Sequence, residues 1–471
     1  MKKSRLEELL EQFSPKELKK LRKFLCSPFF NQQQNLIKLF DYCVAQKGQL
    51  MEKPMAYRAM FPNKSYKDAD LRLQMSYLYR LVEKFVAYTQ MESNDFLILQ
   101  HTLADFQERN LSEFGQRTLK KAKNYLEKQA LRDADYYNQL YQLNLAQYTY
   151  EVNTKPAEQQ DVAAFQELDI AYYITKLKLA CFLLSQQTTY QSNYDLSTLA
   201  PVLAQIEEQN LLTIPTLATF YFCYFTLVQP EVASHFEQFN ELLLKHSQQF
   251  SQEDNGNLYL LAINYCIKQI NQGNTAFNKK TLKLYKAGLK NEALLENGIL
   301  SRFTYHNIVM AGIRNQAWDW VEQFIHQYRR NLEKRYQESS FSFSLAHLAY
   351  HRKDYAGVLN LLQTANYRDV LLNLGAKTLL LKVYYELGEL NLLHSHLDAM
   401  KNYIRRKRVI GYHKTNYMNI VRFTQKLLSL NFYDKVAVGK LKAIIQSEAI
   451  LTERQWLLEQ IGVLTEIVLK K

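Results

Sequence analysis

Apolar residues along the first ninety positions recur every three or four places, the spacing that gathers them on one side of an α-helix. Leu6, Leu9, Leu10 and Phe13 open the series, and Ser14-Pro15-Lys16-Glu17 then marks a new start. Ser14 can cap, Pro15 suits the first turn, and Glu17 completes a capping box. The second helix presents Leu18, Leu21, Phe24 and Leu25, and Ser27-Pro28 with Asn31 ends it. A third carries Leu36, Ile37, Leu39, Phe40 and Val44, and a short one runs from Pro54 to Met60. After a break at Phe61-Pro62-Asn63, a long helix from about Asp68 to Tyr88 sets Leu71, Met75, Leu78, Leu81, Val82 and Phe85 on one face. Residues 1–90 therefore predict a small basic helical bundle.

From about residue 93 the pattern becomes serial: amphipathic segments separated by short polar joints, as stacked helical pairs require. The polar stretches Asn153–Gln160 and Gln186–Asp195 are the expected loops of this region. Leu211 to Val228 carries no charge over 18 positions, close to the length that spans a bilayer. Its threonines, Pro215 and the flanking Glu207, Glu208 and Glu231 instead predict a buried helix, and no membrane span is expected. The chain has only 13 glycines and 8 prolines, none of the prolines after Pro230, too little punctuation for a many-stranded fold. The fold class expected is all-α.

After residue 300 the same arrangement returns three times. Gln316-Ala317-Trp318, Lys353-Asp354-Tyr355 and Gly388-Glu389-Leu390 each separate two amphipathic helices, their third residues 37 and then 35 positions apart. The middle copy offers Leu345, Ala346 and Ala349, then Tyr355, Val358, Leu362 and Ala365. The next offers Leu380, Tyr384, Gly388, Leu390, Leu393 and Leu397. Over residues 300–404 this resembles the tetratricopeptide repeat, whose unit is about 34 residues, although that family's closing proline is absent. The opening block, Phe13 to Leu18 and Ser27 to Asn31, also resembles uncharacterised bacterial helical proteins, which implies no activity. The resemblance implies a right-handed α-solenoid: a bundle over 1–90, a degenerate helical-hairpin array over 91–300, and tetratricopeptide-like repeats with basic C-terminal helices over 301–471.

Charge sharpens the picture at the ends. Residues 1–90 hold 17 Lys/Arg against 9 Asp/Glu and residues 401–471 hold 14 against 5, leaving 28 against 32 between them. Two basic termini suit phosphate-bearing partners and equally suit solubility alone. The richest run, Arg405-Arg406-Lys407-Arg408, could neutralise phosphates beside Tyr403, Tyr412 and Tyr417, or simply close a helix whose C-terminal dipole favours cations. The five cysteines are scattered among apolar residues without a C-x-x-C pair and are expected to be buried, reduced thiols of a cytoplasmic protein.

No G-x-G-x-x-G, Walker-type G-x-x-x-x-G-K-[ST] or G-x-S-x-G occurs, which disfavours nucleotide enzymes and serine hydrolases. His347 and His351 lie one turn apart but lack the Glu of H-E-x-x-H, so no metal or other cofactor is expected. The tetratricopeptide resemblance implies a concave groove lined by the first helix of each pair. Its residues would be His306, Asn307, Met310, Ile313 and Arg314, then His347, Tyr350 and His351, then Thr378, Lys382, Tyr385 and Glu386. This aromatic and basic lining suits a peptide bearing acidic or C-terminal carboxylate groups. The expected function is a non-catalytic scaffold or adaptor binding protein or peptide partners through that face. The alternative is a regulator that engages nucleic acid through its basic ends.

Overall fold

A computed structural model of the chain describes residues 3–152, 163–190, 194–364, 367, 369–406 and 411–469. Among the described residues the fold is all-α, with twenty-three α-helices and one minimal β-hairpin. Two compact units divide it: residues 1–129 with 136–168, and residues 130–135 with 169–471.

The first unit holds α1 (Arg5–Gln12), α2 (Pro15–Cys26), α3 (Gln34–Ala45), α4 (Lys53–Met60), α5 (Asp68–Glu92), α6 (Asp95–Glu108), α7 (Ser112–Glu127) and nearly all of α8 (Ala134–Val152). The capping box at Ser14 forms as its sequence requires, and a second one joins Ser4 and Glu7 at the start of α1. Glu7 also accepts from the Met51 N–H at 2.8 Å, tying α1 to the loop before α4. The stripes of α1–α5 meet in one core that includes Leu6, Leu21, Leu25, Leu39, Phe40, Leu78 and Val82. Each fully buried side chain contributes roughly 1.5–3 kcal/mol before ordering entropy is subtracted. Asn31, buried beyond α2, donates to the Leu25 and Gln33 carbonyls at 2.9 and 3.1 Å, which turns the chain toward α3. A second core gathers Phe96, Leu103, Leu119, Ala122, Leu126 and Leu143 from α6–α8.

The second unit holds most of α9 (Ala163–Tyr190), then α10 (Ala200–Glu208), α11 (Pro215–Val228), α12 (Ala233–His246), α13 (Gln252–Asn271) and α14 (Phe277–Lys290). After strands β1 (Leu295–Glu296) and β2 (Ile299–Leu300) come α15 (Arg302–Arg314), α16 (Trp318–Tyr328), α17 (Gln337–His351), α18 (Tyr355–Thr364), α19 (Val370–Glu386) and α20 (Leu390–Arg406). α21 (Gly411–Leu428), α22 (Lys435–Ser447) and α23 (Arg454–Leu469) complete it.

The joints of the helical pairs share one geometry. Gly273, Gln316, Lys353 and Gly388 adopt positive φ of 95°, 56°, 63° and 73°. At each, the next residue's N–H bonds back five positions, as Ala317 does to Gly312 at 3.0 Å and Asp354 to Ala349 at 2.9 Å. This left-handed C-terminal turn satisfies the last carbonyls and reverses the chain. The pairs α13/α14, α15/α16, α17/α18 and α19/α20 follow one another, with α15 packing on α17 and α17 on α19. The α13/α14 pair thus shares a geometry that the sequence repeat revealed only after residue 300.

Several local expectations change. The uncharged segment is a 3-10 turn, Leu211–Thr213, followed by the largely buried α11, whose Thr216, Thr219 and Thr226 hydroxyls each donate to a backbone carbonyl. Among the described residues no helix is long and apolar enough to cross a membrane. Of the expected loops, Asn153–Gln160 lies outside the described residues. Residues 186–190 are helical, continuing α9, 191–193 lie outside the described residues, and 194–196 are irregular. Cys26 is exposed, whereas Cys43, Cys181, Cys223 and Cys266 are buried. The β-hairpin turns at Asn297-Gly298, with φ of 51° and 78°, the dipeptide that two successive left-handed residues favour.

Candidate binding cleft

Helical spacing aligns His306, Asn307, Met310 and Arg314 along α15, Ser340, Phe343, Ser344 and His347 along α17, and Gly375, Thr378, Leu379 and Lys382 along α19. These three faces line one cleft of about 480 Å³, bordered by Ile267, Asn271, Thr281 and Tyr285 of the α13/α14 pair and by His413, Tyr417, Thr452 and Glu453. That volume lies within the range typical of ligand sites.

Two ion pairs are built into its walls. Arg302 meets Asp369 at 2.9 Å, and Asp369 also caps α19 by accepting from the Leu372 N–H. Lys382, only 7% exposed, meets Glu453 at 2.8 Å, and its ammonium lies 4.5 Å from the Tyr350 ring centre. Glu453 adopts φ of 56°, a left-handed conformation uncommon for a glutamate. Arg314 is exposed and makes no ion pair among the described residues.

His306 and His347 are neutral at ordinary pH. Burial lowers His306 to about 4, with the Arg314 cation adding to the effect. Burial also drives His347 well below its ordinary value, helped by His306 and Lys382. Their ring centres are 5.1 Å apart, and both contact Phe343. Three polar atoms in this wall, His306 Nδ1, Ser340 Oγ and Ser344 Oγ, are buried and without a hydrogen-bond partner. A buried polar group left so costs roughly 1–3 kcal/mol. Thr378, by contrast, donates to the Leu374 carbonyl of its own helix.

Of the residues expected to form the groove, His306, Asn307, Met310, Arg314, His347, Thr378 and Lys382 line the cleft. Ile313 and Tyr350 are buried in helix packing, and His351 is exposed, its ring 6.3 Å from that of Trp318. Tyr385 packs edge-on against Trp456 of α23 at 5.3 Å. Glu386 accepts from the Tyr350 and Tyr355 hydroxyls, from Trp456 Nε1 at 2.8 Å and from Lys353 at 3.0 Å. Burial works to raise its pKa, but these four donors outweigh it and hold the carboxyl below the usual range. The chain's own C-terminal helix therefore covers the part of the face that Tyr385 and Glu386 would have offered a partner. Arg405 and Arg406 are exposed at the end of α20, and Lys407 and Arg408 lie outside the described residues.

Sequence reasoning missed Ser340, Ser344, Arg302, Asp369 and Glu453. With His347 the two serines fall at helical spacing on the face of α17 that carries Phe343, but further polar residues around the helix, Gln337, Glu338, Ser339, Ser342 and His351, hide that alignment in the sequence. Glu453 reaches Lys382 from 71 positions away, a pairing no local pattern encodes. Among the described residues no group of three or more His, Cys, Asp or Glu is placed to hold a metal ion. No family model matches the chain, and no curated protein or solved structure matches it either.

Proposed function

We propose that the chain is a non-catalytic, cytoplasmic scaffold that binds a peptide segment of a partner protein, using the concave face of a tetratricopeptide-like solenoid. The observation that carries this reading is the cleft itself. Successive first helices contribute to it side by side, its walls combine Met310, Phe343 and Leu379 with unpartnered polar atoms, and Arg314 supplies a spare cation. Apolar walls bury side chains of an extended segment, while the few polar groups set its register and orientation. A solenoid exposes such a face because each repeat contacts only its neighbours, leaving the inner helices aligned and accessible.

The test is retention of a degenerate nine-residue peptide library on the immobilised full chain, with a Met310→Asp/Asn307→Ala variant as control. Selective retention of a peptide subset, lost in the variant, is the result expected. Equal retention by both proteins would show that the peptides bind elsewhere and would end the proposal.

A further inference from the structure

We propose that Glu453 occupies, within its own chain, the subsite that an acidic side chain of the bound peptide would take on Lys382, so that peptide binding requires displacing it. The inference rests on the peptide-binding reading above and names the regulation of that same cleft.

Lys382 is a cation that the fold has enclosed. The Tyr350 and Trp456 rings lie 4.5 and 5.9 Å from its ammonium, and only 9% of its side chain is exposed. A buried ammonium must have an anion beside it, and among the described residues that anion is Glu453. The partners differ in how they are held. Lys382 belongs to the middle of α19, whereas Glu453 comes from the short loop between α22 and α23 and keeps 29% of its side chain in contact with solvent. Its left-handed backbone makes its own position strained. The cation is therefore a fixed wall element and the carboxylate its removable counterpart.

The same cleft holds polar atoms with nothing to bind. Ser340 and Ser344 are 4% and 1% exposed, and both hydroxyl oxygens lack partners. One helical turn separates them, roughly 5–6 Å, close to the ~6.7 Å between alternate residues of an extended peptide. A peptide laid along α17 would bring a carboxylate to Lys382, and rotation of the two serine side chains toward it would give their hydroxyls backbone partners. The exchange is balanced: one Lys–carboxylate pair replaces another, and the released Glu453 carboxylate passes into water.

The experiment uses the full chain as wild type, as E453Q and as the double variant K382M/E453Q. The probes are two pools of nine-residue peptides with identical degenerate positions, one fixed as Glu and the other as Gln at the centre. Expected is a roughly tenfold or larger gain in affinity for the Glu pool in E453Q, no gain for the Gln pool, and loss of the Glu preference in the double variant. Should E453Q lower the melting temperature, Glu453→Asp, which retracts the carboxylate by one methylene, carries the same expectation. Pools that are retained but respond equally in all forms would overturn self-occupancy while leaving peptide binding intact. Retention of neither pool by wild type or E453Q would overturn the peptide reading and, with it, this inference.

Discussion

Replacing Gly312 by alanine tests the packing of α15 on α16, on which the lining face depends. A Cβ at this position would lie 2.3 Å from Val321 Cγ2 and 3.3 Å from the Trp320 ring. Carbon atoms in ordinary contact are about 3.5–4.0 Å apart, so more than 1 Å must be recovered. Val321 is fully buried and β-branched, with no spare rotamer to absorb the displacement, so α16 itself must move. Overpacking of this kind costs typically 1–3 kcal/mol and at times more, against about 1 kcal/mol gained from alanine's helix propensity. The difference is about 0–2 kcal/mol, and an overlap of more than 1 Å against a fully buried Val321 places the expected loss in its upper half, about 1–2 kcal/mol. Gly439 in α22 is exposed, and a Cβ added there would meet nothing within 4 Å, so Gly439→Ala should stabilise by about 0.5–1 kcal/mol. Amide hydrogen exchange followed by mass spectrometry resolves the two regions separately. Peptides from α15 and α16 should exchange roughly 5- to 30-fold faster in Gly312→Ala, since 1.4 kcal/mol corresponds to a factor of ten. Unchanged or slower exchange there would refute the close approach of the two helices.

The joints give a pair of opposite effects: Gly388→Ala, at φ of 73°, should destabilise by about 1 kcal/mol, and Gln316→Gly, at φ of 56°, should stabilise by a similar amount, both read from local hydrogen exchange. The pH dependence follows from His306 and His347, whose folded pKa values lie below the ordinary 6.5. The unfolded chain binds more protons in that window, so their contribution is complete above about pH 6.5 and falls as pH drops toward about 4. Melting temperatures between pH 7.5 and 4.5 should therefore decline less steeply in a His306→Gln/His347→Gln variant; parallel curves would contradict the assignment. Trp456→Phe keeps the ring but removes the donor to Glu386, for an expected loss of about 1.5–3 kcal/mol. Glu386→Leu leaves the buried Tyr350 hydroxyl and Trp456 N–H without their acceptor, and should lower the melting temperature further.

Features that depend on neighbours within a few residues are legible in the amino-acid order alone. Ser14 and Glu17 close their capping box, Ser27-Pro28 ends α2, and the joints at Gln316, Lys353 and Gly388 turn where their spacing indicates. The cleft-facing sides of α15 and α19 were legible for the same reason, because a period of 3.6 residues assigns His306, Met310, Thr378 and Lys382 to faces before any packing is known. Tertiary structure decided which faces remain open. Tyr350 reads as groove-facing, yet its ring is drawn into the packing beside Glu386, while Trp456, 70 positions beyond Glu386, covers Tyr385. Glu453 reaches Lys382 across a similar span, and the Ser340 and Ser344 hydroxyls are left unpartnered only because of how the surrounding helices enclose them. Local periodicity orients a side chain on its own helix, but the occupant of the space in front of it comes from elements far along the chain, and packing alone selects that occupant.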